Sequence, residues 1–184
     1  MTEHFLPDDL FEELLAQVKE QDNTVQEERL RYLHILTKKT METTPISIIL
    51  HGSALTNLAV DGELDFFDYP VYLTLEQRKR CLQHIYELCA QEKNLCVKMI
   101  HGCLVSDFQY AVTQCIFLSD TVCYARLHTE NRKNNLAVFN HPDMKTIFLR
   151  FFETVWSKRN NIVCTEIDGI RSFIHDAIER IDIL

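Results

Sequence analysis

The chain has 184 residues, 27 acidic and 19 basic side chains for a net charge of −8, 46% hydrophobic residues and 25% charged ones. Those are globular proportions that exclude disorder, and the length suits a single domain, 1–184, with a buried core. The four glycines, Gly52, Gly62, Gly102 and Gly169, stand far apart, which excludes the clustered-glycine loops that cradle phosphates.

Pro7-Asp8-Asp9 opens a helix whose apolar face is Leu10, Phe11, Leu14, Leu15 and Val18. Thr24 with Glu27 three residues on has the capping-box pattern and predicts a second helix running towards Thr43, which Pro45 stops. Residues 1–44 therefore read as a helical hairpin. Ile46 to Leu50 is a β-branched run that reads as a buried strand. Asp65 to Pro70 reads as a loop or a short edge segment.

Thr74 with Gln77 predicts another capping box, followed by a helix with Leu75, Cys81, Leu82, Ile85, Leu88 and Cys89 on one face. Leu95 to Ile100 alternates as a strand, and Ala111–Leu118 with Thr121–Leu127 reads as a hairpin turning at Ser119-Asp120. The polar run Thr129 to Asn135 reads as a loop, and Leu136 to Phe139 as a short strand. Asn140 and Pro142 then introduce a helix carrying Met144, Ile147, Phe148, Phe151, Phe152, Val155 and Trp156 at helical spacing. Thr165 caps a last helix with Ile167, Ile170, Ile174, Ala177, Ile178 and Ile181 in line. The predicted fold is α/β or α+β: a mixed sheet of about five strands flanked by helices, with two helices at each end of the chain. Residues 45–184 form its α/β core.

A net charge of −8 argues against a phosphate-driven grip on DNA or RNA. The basic runs Arg78-Lys79-Arg80 and Lys158-Arg159 read as solvated helix surface. The seven cysteines are odd in number and sit mostly at apolar periodic positions, as reduced thiols do. The chain starts without a secretory signal and contains no apolar run near the ~18 residues that would cross a bilayer. The expectation is a cytoplasmic protein with no membrane contact.

Three constellations invite chemistry. Gly52-Ser53 after a strand, then Glu63 and Asp65 two apart, resembles the Mg²⁺-holding signature of minimal nucleotidyltransferases. Alternate strand positions point the same way, so the two acids share a face. The first acid in that family is usually Asp, and the next strand offers Lys98 where a third carboxylate belongs. His101 and Cys103 with Cys89 and Cys96 give soft metal ligands, but no Cys-x-x-Cys pair of the kind structural zinc sites use. Burial accounts for Cys89 and Cys96, and neither a metal nor a cofactor is expected. No Gly-x-Ser-x-Gly nucleophile elbow occurs, so no catalytic residue is assigned.

Two apolar faces have double readings. Phe148, Phe151, Phe152 and Trp156 supply either core or the lining of an apolar ligand pocket. Arg126, in an otherwise apolar strand, is either the polar anchor of that pocket or an edge residue facing water. Ile170, Ile174 and Ile178 either close the chain's own core or meet the same stripe of a second subunit.

Tyr69-Pro70-Val71-Tyr72-Leu73-Thr74, Gln77-Arg78, the strand Val97 to Ile100, the hairpin, Ala137-Val138-Phe139 and Phe151 to Trp156 resemble the C-terminal regions of bacterial one-component transcriptional regulators. In those proteins a Cro/repressor-type helix-turn-helix precedes an effector half similar to one phospholipase-D-like unit. Phospholipase-D-like enzymes use His-x-Lys, whereas this chain reads His51-Gly-Ser53, His84-Ile-Tyr86, His101-Gly-Cys103 and His128-Thr-Glu130. The resemblance therefore implies a non-enzymatic effector domain that senses a small molecule or protein and forms a homodimer. The first helix carries Asp8, Asp9, Glu12 and Glu13 rather than the basic and amide face of a DNA reader. The DNA-binding part is accordingly expected outside this chain. A stand-alone protein-binding or immunity-like domain is the alternative, as is the nucleotidyltransferase.

Overall fold

The computed structural model describes residues 5–67, 69–91, 94–100, 113–118, 123–127, 135–157, 163–164 and 167–183. Its Cα positions gather the chain into two compact units, Thr2–His101 with Val163–Leu184, and Gly102–Ile162 with Met1. Helix and strand are mixed in both.

The first unit starts with α1 (Asp8–Gln21) and α2 (Glu27–Thr43). Helix α1 buries the predicted face, Leu10, Phe11, Leu14, Leu15 and Val18, and Phe5 and Leu6 ahead of it are buried too. Helix α2 starts at Glu27 without a side-chain cap. The expected Thr24–Glu27 box does not form, because the Thr24 hydroxyl and amide both donate to Asp22 Oδ1, at 2.6 and 2.8 Å. Such a local Asx turn competes directly with helix capping. The two helices are clasped at Asp8, which takes Lys38 Nζ on both oxygens (2.8 and 2.7 Å) and His34 Nε2 at 2.9 Å. His34 is buried and stacks on Phe11, centroids 4.1 Å apart.

Strand β1 (Ile46–His51) feeds directly into α3 (Gly52–Val60). That helix was not predicted, although Leu55, Leu58 and Ala59, buried along with Gly52, have the i, i+3, i+4 spacing. Strands β2 (Glu63–Phe66) and β3 (Tyr69–Tyr72) form a tight antiparallel hairpin where a loop or edge segment was expected. Phe67 makes its turn with φ 49°.

Between α3 and this hairpin stands Gly62, at φ 69°. Its amide and that of Asp61 both donate to the Asn57 carbonyl, at 3.2 and 2.8 Å, ending α3. Thr74 and Gln77 bond reciprocally at the start of α4 (Leu75–Gln91), so this capping box is formed as predicted. Helix α4 leads to β4 (Leu95–Ile100), which pairs parallel with β1; β8 (Val163–Cys164) adds to β4 antiparallel. Helix α6 (Ile167–Ile181) packs along α4 and against α3, burying Ile170, Ile174, Ala177 and Ile181.

The basic run on α4 is not the solvated surface expected of it. Arg78 Nε donates to the Leu73 carbonyl (3.0 Å), Nη1 to those of Ala59 (3.2 Å) and Val60 (2.7 Å), and Nη2 to that of Asp61 (3.2 Å). One guanidinium thus satisfies the carbonyls left open at the end of α3. Arg80 ties α4 to α1 through Asp9 (2.5 Å) and Glu13 (2.7 Å), and Lys79 pairs with Asp182 beyond α6.

In the second unit, β5 (Thr113–Leu118), β6 (Cys123–Leu127) and β7 (Asn135–Phe139) form an antiparallel sheet with β6 at its centre. The hairpin and the last strand fall where predicted; Ser119-Asp120 and the run 129–134 lie outside the described residues. Helix α5 (Pro142–Ser157) follows as predicted.

The five-stranded mixed sheet is corrected. Among the described residues the strands pair as three small sheets, β1-β4-β8, β2-β3 and β5-β6-β7. The physical reason is local pairing: β2 turns back at once onto β3, and β5 to β7 pair with their sequence neighbours.

Candidate functional site

The Gly-Ser and two-acid constellation is only partly assembled. Gly52 and Ser53 begin α3 directly after β1, with Ser53 exposed. Glu63 and Asp65 occupy one face of β2, opposite the buried Leu64 and Phe66. Among the described residues, however, β2 pairs with β3 and not with β1. No third metal-ligating side chain joins Glu63 and Asp65 there either.

The thiols divide by burial. Cys81 is fully buried, and loss of solvent pushes its thiol up to about 12. Burial likewise pushes Cys89 up to about 11, against the pull of the nearby Arg171 charge. Neither is the low-pKa thiolate that nucleophilic or ligating cysteines supply. Cys96, expected to be buried, is exposed on β4. His101 and Cys103, the other proposed zinc ligands, lie outside the described residues.

On α5, Phe148, Phe152 and Trp156 are half-buried. Phe148 leans on Phe139 of β7 (5.3 Å, 39°), and Phe152 stacks on Trp156 (5.3 Å, 20°). Arg126 sits on the central strand of its sheet, opposite Leu136, and is therefore not an edge residue.

On α6, Ile170 and Ile174 are 0% exposed within a single chain. Their apolar surface is already covered by the chain's own packing, the first of the two readings. Ile178 is half-buried.

The same burial turns the neighbouring α6 positions outward and forms a recess that sequence reasoning missed. Asp168, Arg171, Ser172, His175, Asp176 and Glu179, with Tyr86 of α4, line an open space of about 450 Å³. Arg171 is its fixed point. Its guanidinium lies over the Tyr86 ring, 4.3 Å from the centroid, and Nη2 donates to Tyr86 Oη at 2.7 Å. Arg171 Nε is buried with no hydrogen-bond partner among the described residues, an uncommon state for a cationic donor. Further along α6, one turn apart, His175 Nδ1 is 3.6 Å from Glu179 Oε1. Donor atoms of His175, Asp176 and Glu179 all lie within 4.8 Å of one another, and all three residues are exposed.

The recess therefore offers guanidinium and hydroxyl donors beside carboxylate and imidazole acceptors. That set suits a small molecule carrying both signs of charge. The signal in the sequence was the polar flank of the isoleucine helix, which reads equally as solvated exterior.

No known family model, curated protein or solved structure matches the chain.

Proposed function

We propose that the chain acts by binding rather than by turnover, as a ligand-sensing, dimerising effector part of a transcriptional regulator. The observation that carries this reading is the Arg171–Tyr86 recess, where a guanidinium held over the Tyr86 ring stands beside the exposed Asp168, His175, Asp176 and Glu179. The ligand class it favours is small and zwitterionic, with its carboxylate on Arg171 and its ammonium towards Asp168, Asp176 and Glu179. Among the described residues, the high thiol pKa values of Cys81 and Cys89 and the lack of a third metal-ligating side chain beside Glu63 and Asp65 support binding over catalysis. The mechanism is a population shift: ligand binds one arrangement of the dimer better and biases it.

Thermal unfolding against a panel of free amino acids tests this. A binder raises the midpoint of the wild-type protein and leaves Arg171→Ala unmoved.

The shared face of Glu63 and Asp65 favours a second reading, a divergent Mg²⁺-dependent nucleotidyltransferase with Ser53 at the phosphate turn. Stabilisation by Mg²⁺ with a nucleoside triphosphate, lost in Glu63→Ala and Asp65→Ala, would favour it.

A further inference from the structure

Helix α2 has two faces. One buries Leu30, His34 and Met41. The other runs Glu28, Tyr32, Ile35, Leu36, Lys39 at i, i+4, i+7, i+8 and i+11, a single helical stripe, and every member is exposed. Tyr32 and Ile35 are each 63% exposed and Leu36 44%. Three adjacent large apolar side chains in water on one helix are a mark of an interaction site.

Charge identifies the occupant. Arg31 is engaged by Glu12 and Glu27, and Lys38 by Asp8. Glu28 and Lys39 have no ion-pair partner among the described residues. They bracket the apolar patch, acid at the N-terminal end and base at the C-terminal end, about 16 Å apart along the axis.

We propose that this face pairs with the same face of a second copy, the two α2 helices running antiparallel about a two-fold axis level with Leu33 and His34. That axis sets Glu28 against Lys39 of the second copy at both ends, and Tyr32 against Ile35 of the second copy between them. A parallel pair would set Glu28 on Glu28 and Lys39 on Lys39, which like-charge repulsion disfavours. The pairing rests on the dimerising part of the function proposed above. It also supplies the surface that α6, with Ile170 and Ile174 covered, does not.

Sedimentation velocity from micromolar to near-millimolar concentration, in about 0.15 M salt, tests the pairing. The samples are the wild type, Glu28→Lys, Lys39→Glu and an equimolar mixture of the two variants. Each single reversal puts like charges at both ends and weakens self-association about ten-fold. The mixture restores it, because opposite charges meet again in the heterodimer. Ile35→Asp, also on exposed surface, abolishes it. Unchanged circular dichroism for all three variants supports this assignment, and unfolding of Ile35→Asp would show that the α2 face is internal and overturn it. A dimer indifferent to both charge reversals, or a mixture no tighter than its components, overturns the α2 pairing and leaves dimerisation elsewhere standing. A wild type that stays monomeric throughout overturns both.

Discussion

At the residue scale, Gly62 and Arg78 are one device. A Cβ on Gly62 would lie 2.2 Å from Arg78 Nε, and its φ of 69° is the left-handed region that penalises any side chain. Gly62→Ala should lower stability by about 1–3 kcal/mol, through backbone strain and displacement of the guanidinium. Arg78→Ala should cost a similar amount by uncovering the carbonyls after α3. The double variant should lose less than the sum, since both changes break the same contacts; urea unfolding of the four proteins measures the difference. Buried thiols give a second expectation. In the unfolded chain Cys81 and Cys89 ionise near the ordinary value of 9.0, whereas in the fold they hold their protons to about 12 and about 11. The unfolded state therefore loses protons first as pH rises, so stability is intact below pH 9 and falls above it. Each thiol accounts for about 1.4 kcal/mol of loss by pH 10. Cys81→Ala should be weaker than wild type at pH 8 but should decline less between pH 8 and pH 10.

At the scale of elements, burial decides what each helix is for. Ile174 is wholly covered by its own chain, so Ile174→Ala should cost about 2–5 kcal/mol of monomer stability, measured by denaturant unfolding at low protein concentration. The clasp between α1 and α2 has an acid-sensitive centre. Hydrogen bonds from Lys38 and His34 hold the Asp8 carboxyl below its ordinary 3.8. Its contribution is present above that value and lost as pH falls through the lower folded one. Asp8→Asn should flatten the acid limb of the pH–stability curve, by a small amount because Asp8 is largely exposed. These helices were legible beforehand because their apolar spacing is strict, as in Leu10 to Val18 and Ile170 to Ile181. Strand pairing was not: nothing in Glu63 to Phe66 states whether its edge bonds to β1 or turns back to Tyr69. Nor did the basic spacing of Arg78 to Arg80 disclose that carbonyls and carboxylates from α1, α3 and beyond α6 would claim all three. The α3 spacing is present in Leu55, Leu58 and Ala59, but a helix of nine residues repeats it over only about two and a half turns, too short a period to stand out from a loop.

At the scale of the whole molecule, no helix among the described residues is long and apolar enough to cross a membrane. The two constellations that compete for function lie in the same unit but at different places, the recess on α4 and α6 and the acid pair on β2. The recess was illegible in the sequence because Tyr86 and Arg171 are 85 positions apart, and only the packing of α6 on α4 stacks them. An amide-resolved NMR titration of the labelled protein separates the two most directly, first with the free amino acid that raises its melting point, then with Mg²⁺ and nucleoside triphosphates. The binding account predicts shifts concentrated at Tyr86, Arg171, Ser172 and His175 with the amino acid, and none at β2 with the nucleotides. Shifts centred on Ser53, Glu63 and Asp65 with Mg²⁺ and nucleotide, and silence around Arg171, would contradict it.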